Sequence, residues 1–170
     1  MIRQTGAVLV ISLVILMAMT LIGVTAMQNT TQNERMANNA RQRNLAFQAA
    51  EAGLRAGEAI LTQAVLPPFD NTTFGIRQRL NIDKDIRTFW KEEYDWTQSQ
   101  ECIIPPMEDY IHQFQLGQNP SYVVEDMGYI MDSGGSVKFG KLTTKTYRIT
   151  SRGTGGITDA IVILQTTFAR

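Results

Sequence analysis

The sequence predicts an α+β chain: one long N-terminal helix, membrane-spanning at first and amphipathic after, packed on a C-terminal antiparallel β-sheet. Three observations carry this. Residues 7–27 hold no charge, residues 28–64 are built of good helix formers, and from residue 121 the chain alternates as strands do.

The first element is the apolar run. Its most polar members are Ser12, Thr20 and Thr25. As a helix, 21 residues span ~30 Å, the hydrocarbon thickness of a bilayer. Arg3 and the α-amine are the only charges before it, which favours a cytoplasmic N-terminus and an exported remainder. Val24-Thr25-Ala26 would serve as a signal-peptide cleavage site. The run is longer than an ordinary signal core, however, and helical composition continues past Ala26 with no proline before Pro67. A retained helix is the stronger reading.

The second element runs from Gln28 to Ala64. Ala40, Phe47, Leu54 and Leu61 recur every seven residues, with Met36 and Ala50 filling the offset rows. That pattern predicts an apolar stripe facing the sheet. A second row, Ala46, Ala49, Gly53, Ala56 and Ile60, forms a ridge of small residues where another backbone can come close. Glu51 and Arg55 stand at i, i+4 in the favourable order. Pro67-Pro68 ends the helix. Its weak point is Asn29–Glu34, where Thr31-x-x-Glu34 has the pattern of a capping box, and both a continuous and a broken helix remain open.

Residues 69–120 read as mixed and loop-rich, with a short helix in "IRQRLNIDKDIRTFWKEEY". Strands follow at 121–131, 143–153 and 157–169. In the second of these, Tyr147, Ile149 and Ser151 share one side, and Gly153-Thr154-Gly155-Gly156 makes the last turn.

Composition excludes much chemistry. With 16 basic and 16 acidic residues there is no net charge to draw nucleic acid, and none is expected as a partner. One histidine (His112) and one cysteine (Cys102) are too few for a catalytic triad, a metal cluster or an internal disulfide. The glycine-rich turn lacks the lysine of a phosphate loop. No enzyme, cofactor or metal is expected. Charge is patterned, with six acidic residues within 92–109 and five basic ones within 138–152. Such blocks suit either head-to-tail contacts between subunits or pairing inside the chain.

A short basic leader ending in Gly6, an apolar helix running into an amphipathic one, and then a sheet together resemble the type IV pilin superfamily. "NERMANNARQRNLAFQAAEAGLRAGE" (33–58) is similar to the N-terminal motif of PilX-type minor pilins, with Glu34, Arg35, Glu51 and Arg55 as its charges. "YRITSRGTGGITDAIVILQTTF" (147–168) is similar to the closing hairpin of that family. The resemblance implies a pilin-like fold with a leader (1–6), an N-terminal helix (7–66, its first part 7–27 transmembrane) and a periplasmic α+β domain (67–170). It implies cleavage between Gly6 and Ala7 by a prepilin peptidase and N-methylation of Ala7. It also implies storage in the inner membrane and then incorporation into a fibre.

Its implied partners are other minor pilins, the major pilin and a PilY-type tip adhesin, with roles in twitching, adhesion or aggregation. One position departs from the wider superfamily: the glutamate four residues after the mature start is here Ile11. That absence implies a place at or near the fibre tip, where the subunit primes or caps assembly. Two other readings stand beside this one. The first is a K-type minor pseudopilin of a type II secretion system. The second is a secreted binding module cut after Ala26.

Overall fold

A computed structural model describes residues 5–70, 75–82, 85–96, 114–131 and 143–170. The first helix, α1, runs from Thr5 to Leu61. The chain divides into two units, Met1–Arg41 and Gln42–Arg170.

In the first unit, Ala7–Arg41 is exposed throughout and helical throughout. The weak point at 29–34 does not break. Thr30 and Thr31 instead donate their hydroxyls to the carbonyls of Ala26 and Met27, at 3.2 and 3.1 Å. With both hydroxyls bonded back one turn inside a continuous helix, the Thr31–Glu34 capping box has no helix start to cap.

The second unit begins with the rest of α1. Four strands form one sheet in the order β1-β2-β3-β4: β1 (Ile76–Gln78), β2 (Ser121–Met131), β3 (Thr143–Thr154) and β4 (Ile161–Ala169). Between β1 and β2 lies a single helical turn, α2 (Ile86–Thr88), continuing into a π-type turn over Phe89–Glu93. The α+β class stands, with one correction: the sheet is mixed. β2, β3 and β4 are antiparallel, but β1 pairs parallel with β2, placing Ile76 beside Val124. The middle of the chain contributes this strand, and its three residues are too few for periodicity to reveal.

Side chains alternate cleanly on β2 and β3. Tyr122, Val124, Tyr147 and Ile149 form one core with Leu61 of α1. Val123 points the other way, into a second core with Trp90, Tyr94 and Trp96. These three rings lie 4.7–5.5 Å apart, and the Trp96 indole N–H donates to the Trp90 carbonyl at 2.8 Å. The sheet is therefore covered on both faces. A bulge at Asp126–Gly128 shifts the register, and Gly128 takes φ 84°, a conformation that favours glycine.

The face of α1 that packs is the row of small residues. Ala46, Ala49, Ala50, Gly53, Gly57 and Leu61 are buried, and Leu54, Ala56 and Ile60 are half-buried against the core. The expected stripe is corrected at its start: Ala40 is exposed and Phe47 is 44 % exposed. The reason is steric. A helix lying close to a sheet needs small side chains between the two backbones, and the bulky phenylalanine ring is turned aside.

α1 ends at Leu61, short of the expected Leu66. There the Arg170 guanidinium donates to the carbonyls of Leu61 and Gln63 at 3.1 and 2.9 Å. This satisfies orphan acceptors of the last turn and places a cation at the negative end of the helix. The last hairpin has a longer connection than expected, residues 155–160. Gly153 and Thr154 belong to β3, and the return strand starts at Ile161 rather than at 157.

Candidate assembly surfaces

Three regions hold the residues singled out by sequence. The first is the apolar stretch of α1. Gly6 and Ala7 lie in its opening turns, and Ile11 is 59 % exposed. Bulky apolar side chains project on every side, among them Leu9, Leu13, Leu16, Met19 and Ile22. Its hydroxyls are turned inward to the backbone. Ser12 donates to Leu9 at 2.9 Å, Thr20 to Met17 at 2.8 Å, and Thr25 to Ile22 at 2.9 Å. A hydrocarbon surround cannot hydrogen-bond, so this self-satisfaction suits the segment to lipid or to a bundle of like helices. The stretch is long and apolar enough to cross a membrane, with a mean hydropathy of 2.8 in its best window.

The second region is the charged part of the motif. Glu34 and Arg35 are exposed. Glu51 and Arg55 form the expected pair, at 3.5 Å and largely in solvent. Such pairs contribute only ~0.3–0.5 kcal/mol.

The third region is where α1 meets β3. A Cβ on Gly153 would strike the backbone of Ala46, Ala49 and Ala50, and one on Gly57 would lie 2.7 Å from Ile149 Cγ2. Just beyond, Gln42 Oε1 accepts from the Gly156 N–H at 2.6 Å, and Gly117 donates to the Gly155 carbonyl at 2.6 Å. The glycines of this turn are therefore occupied in closing the domain. This is the chemistry behind the family-like hairpin.

The three described cations of the basic block make contacts within the chain. Of the basic block, Arg148 makes a two-pronged bond to Glu125 at 2.7 and 2.9 Å, and Glu125 is fully buried. Glu125 also accepts from the Leu80 N–H at 3.0 Å. Lys145 meets Asp126 at 2.7 Å and lies 5.4–5.9 Å from the rings of Phe69, Tyr129 and Tyr147. The hydrogen bond to Asp126 raises the Lys145 pKa, against the opposing effect of burial. Arg152 donates to Gln118 at 2.9 Å. Alternation in "SYVVEDM" sets Glu125 on the face opposite Val124, a signal that sequence reasoning left unused.

Glu92, Glu93 and Asp95 of the acidic block are exposed. The remaining charges of both blocks, Cys102 and His112 fall outside the described residues. Among the described residues no cluster could hold a metal ion.

A family model described as PilX N-terminal matches residues 5–55. No curated protein and no solved structure matches the chain. The matched span contains both the apolar stretch and most of the small-residue face. A long apolar N-terminal helix fits a membrane anchor as in pilins. The family also implies association with other pilus components. Over residues 5–55 the chain carries a PilX N-terminal domain, which supports reading it as a PilX-type minor pilin of the type IV pilus.

Proposed function

We propose that this subunit primes or caps the type IV pilus at or near its tip. It acts by assembly rather than catalysis. It enters the inner membrane with its N-terminus cytoplasmic and its globular domain periplasmic, and a prepilin peptidase cuts it between Gly6 and Ala7. Ala7 is then N-methylated. In the fibre it joins other minor pilins and the major pilin, and a PilY-type adhesin is its candidate partner at the tip.

The observation that carries the tip placement is Ile11. The superfamily glutamate at this position offsets the N-terminal amine of a neighbouring subunit. A charge left unpaired in an apolar core costs ~3–5 kcal/mol. Ile11 cannot accept from an amine, so this chain is suited to a place where no neighbour presents one. A K-type pseudopilin of a type II secretion system shares the missing glutamate, but the PilX match favours the pilus.

The test is Ile11→Glu, measured as the amount of this protein in sheared fibres relative to the major subunit. At the tip the change brings no benefit and adds a titratable group near the leaflet edge, where its cost stays below ~2.5–3.5 kcal/mol. Incorporation should be unchanged or slightly reduced. A clear rise would mean that the subunit sits along the shaft, paired with a neighbouring amine, and would overturn the tip placement.

A further inference from the structure

β4 is an outer strand of the sheet, and its backbone is turned to make it usable. Lys145 and Arg170 exchange both backbone bonds, at 3.0 and 2.9 Å, which fixes the ladder between β3 and β4. Antiparallel pairing alternates, so every second residue of β4 directs its N–H and C=O away from β3. Those residues are Ile163, Gln165, Thr167 and Ala169, and among the described residues nothing pairs with these outward groups.

Exposed edges are ordinarily blunted by lysine, proline, a bulge or a cover. The opposite edge is protected by brevity, since β1 has three residues. β4 has nine, "IVILQTTFA", with no charge, proline or glycine, and its pairing with β3 shows no break in register. A long unblunted edge is a template for one more strand.

Beside this edge lies a groove of about 520 Å³. Ile86, Trp90, Ile161 and Ile163 give it apolar walls, and Arg87 and Lys91 stand on the α2 side. Asp159 sits where β4 begins. Lys91 has one loose contact, 3.8 Å to Glu92, with both side chains largely in solvent.

We propose that β4 accepts an extended segment of a partner protein as a fifth strand. Its alternate side chains are apolar and enter the groove, and it carries a carboxylate toward Arg87 and Lys91. Charge separates this occupant from a second copy of the chain. Two β4 edges pairing antiparallel about a twofold axis normal to the sheet keep both α2 turns on one face. β4 itself holds no charged residue, so a second β4 lying along this edge brings no carboxylate to Arg87 and Lys91. The proposal stands whether the subunit is at the tip or in the shaft.

The test uses the full chain in detergent micelles and a blocked heptapeptide alternating valine with threonine around a central glutamate. Hydrogen exchange at the amides of Ile163, Gln165 and Thr167 should slow on the order of tenfold or more when the peptide is added, with Val162 and Leu164 unchanged. Replacing the peptide glutamate by lysine should weaken binding by on the order of tenfold. Thr167→Pro removes an outward N–H and spares the ladder to β3, so it should abolish binding. Should that variant fail to fold, Arg87→Glu with Lys91→Glu leaves the strand intact and should reverse the preference between the two peptides. No slowing with either peptide would overturn the proposal. Slowing without peptide that grows with protein concentration would also overturn it, by assigning the edge to a second copy.

Discussion

Two stretches of α1 use opposite residues for opposite ends. Ala7–Met27 displays its bulk: leucine, isoleucine, valine and methionine all face outward, and none is buried. Gln42–Leu61 hides its small residues, Ala46, Ala49, Ala50, Gly53 and Gly57, and leaves Phe47 partly in solvent. Large apolar residues, ordinarily buried, are all displayed in the first stretch, and the second buries mainly Ala and Gly ahead of its single buried Leu61. Large apolar surface on every side of a helix requires a surrounding that is not water. Small surface on one side requires a neighbour already in place. One stretch is prepared for an outside partner, and the other has found its partner within the chain.

The hardest way to break this contrast is at the place of closest approach. Gly153→Val would drive side-chain atoms into the backbone of α1 at Ala46 and Ala50, which cannot swing aside as a side chain would. We expect a loss of about 3 kcal/mol or more, enough to leave the domain largely unfolded. Chemical denaturation of a fragment beginning at Gln28 measures it. A loss below ~1 kcal/mol would mean that helix and sheet are not held together at this glycine.

The next test separates burial from sequence periodicity. Leu61 is fully buried in the core shared with Tyr122 and Ile149, so Leu61→Ala should cost ~2–5 kcal/mol in the same fragment. Phe47→Ala should cost less than ~1 kcal/mol, since much of the ring is already in water. The seven-residue recurrence treats the two positions as equal. If their losses are similar, the stripe packs as the sequence suggested, and the small-residue face is not what joins helix to sheet.

That pair marks the limit of what could be read from residues alone. The long helix and the three C-terminal strands were legible because their patterns are long, and β2 begins and ends where its alternation does. The small-residue row was visible too, as Ala46-x-x-Ala49-x-x-x-Gly53. Periodicity weights bulk, however, so the heptad containing Phe47 outranked it. The second core was hidden for another reason. Trp90, Tyr94 and Trp96 sit on a short π-type turn and the residues after it, where neither helical nor strand spacing applies. The Arg170 bond to Leu61 joins residues more than a hundred positions apart, and no local pattern encodes it.

A smaller effect comes from pH. Tyr122 lies under Gly57, whose missing side chain lets α1 seal the phenol, and burial pushes its pKa up to about 12. The unfolded phenol ionises near pH 10, so above that pH the unfolded chain has released a proton that the folded chain retains. Stability is intact below about pH 10 and should fall by ~2–3 kcal/mol as pH rises toward 12. Lys145, whose pKa is also raised, acts in the same direction. Tyr122→Phe should therefore reduce, not abolish, the alkaline slope of a denaturation series. An unchanged slope would mean that the seal over Tyr122 is open to water.

The smallest effect tests the displayed stretch. A Cβ added at Gly23 meets nothing within 4 Å, in contrast to Gly153. Gly23→Ala should therefore strengthen the helix by ~0.5–1 kcal/mol, because alanine has less backbone freedom to lose. In detergent micelles, amide exchange in the turn after residue 23 should slow roughly two- to fivefold. Fibre incorporation then sharpens the comparison. If the variant assembles as well as the wild type, Gly23 serves only to loosen a helix that bulky neighbours surround. If exchange slows as expected yet incorporation falls, a backbone from another subunit must approach this glycine. Gly23 would then do between subunits what Gly153 does inside one, and the division between displayed bulk and hidden small residues would hold only until the fibre forms.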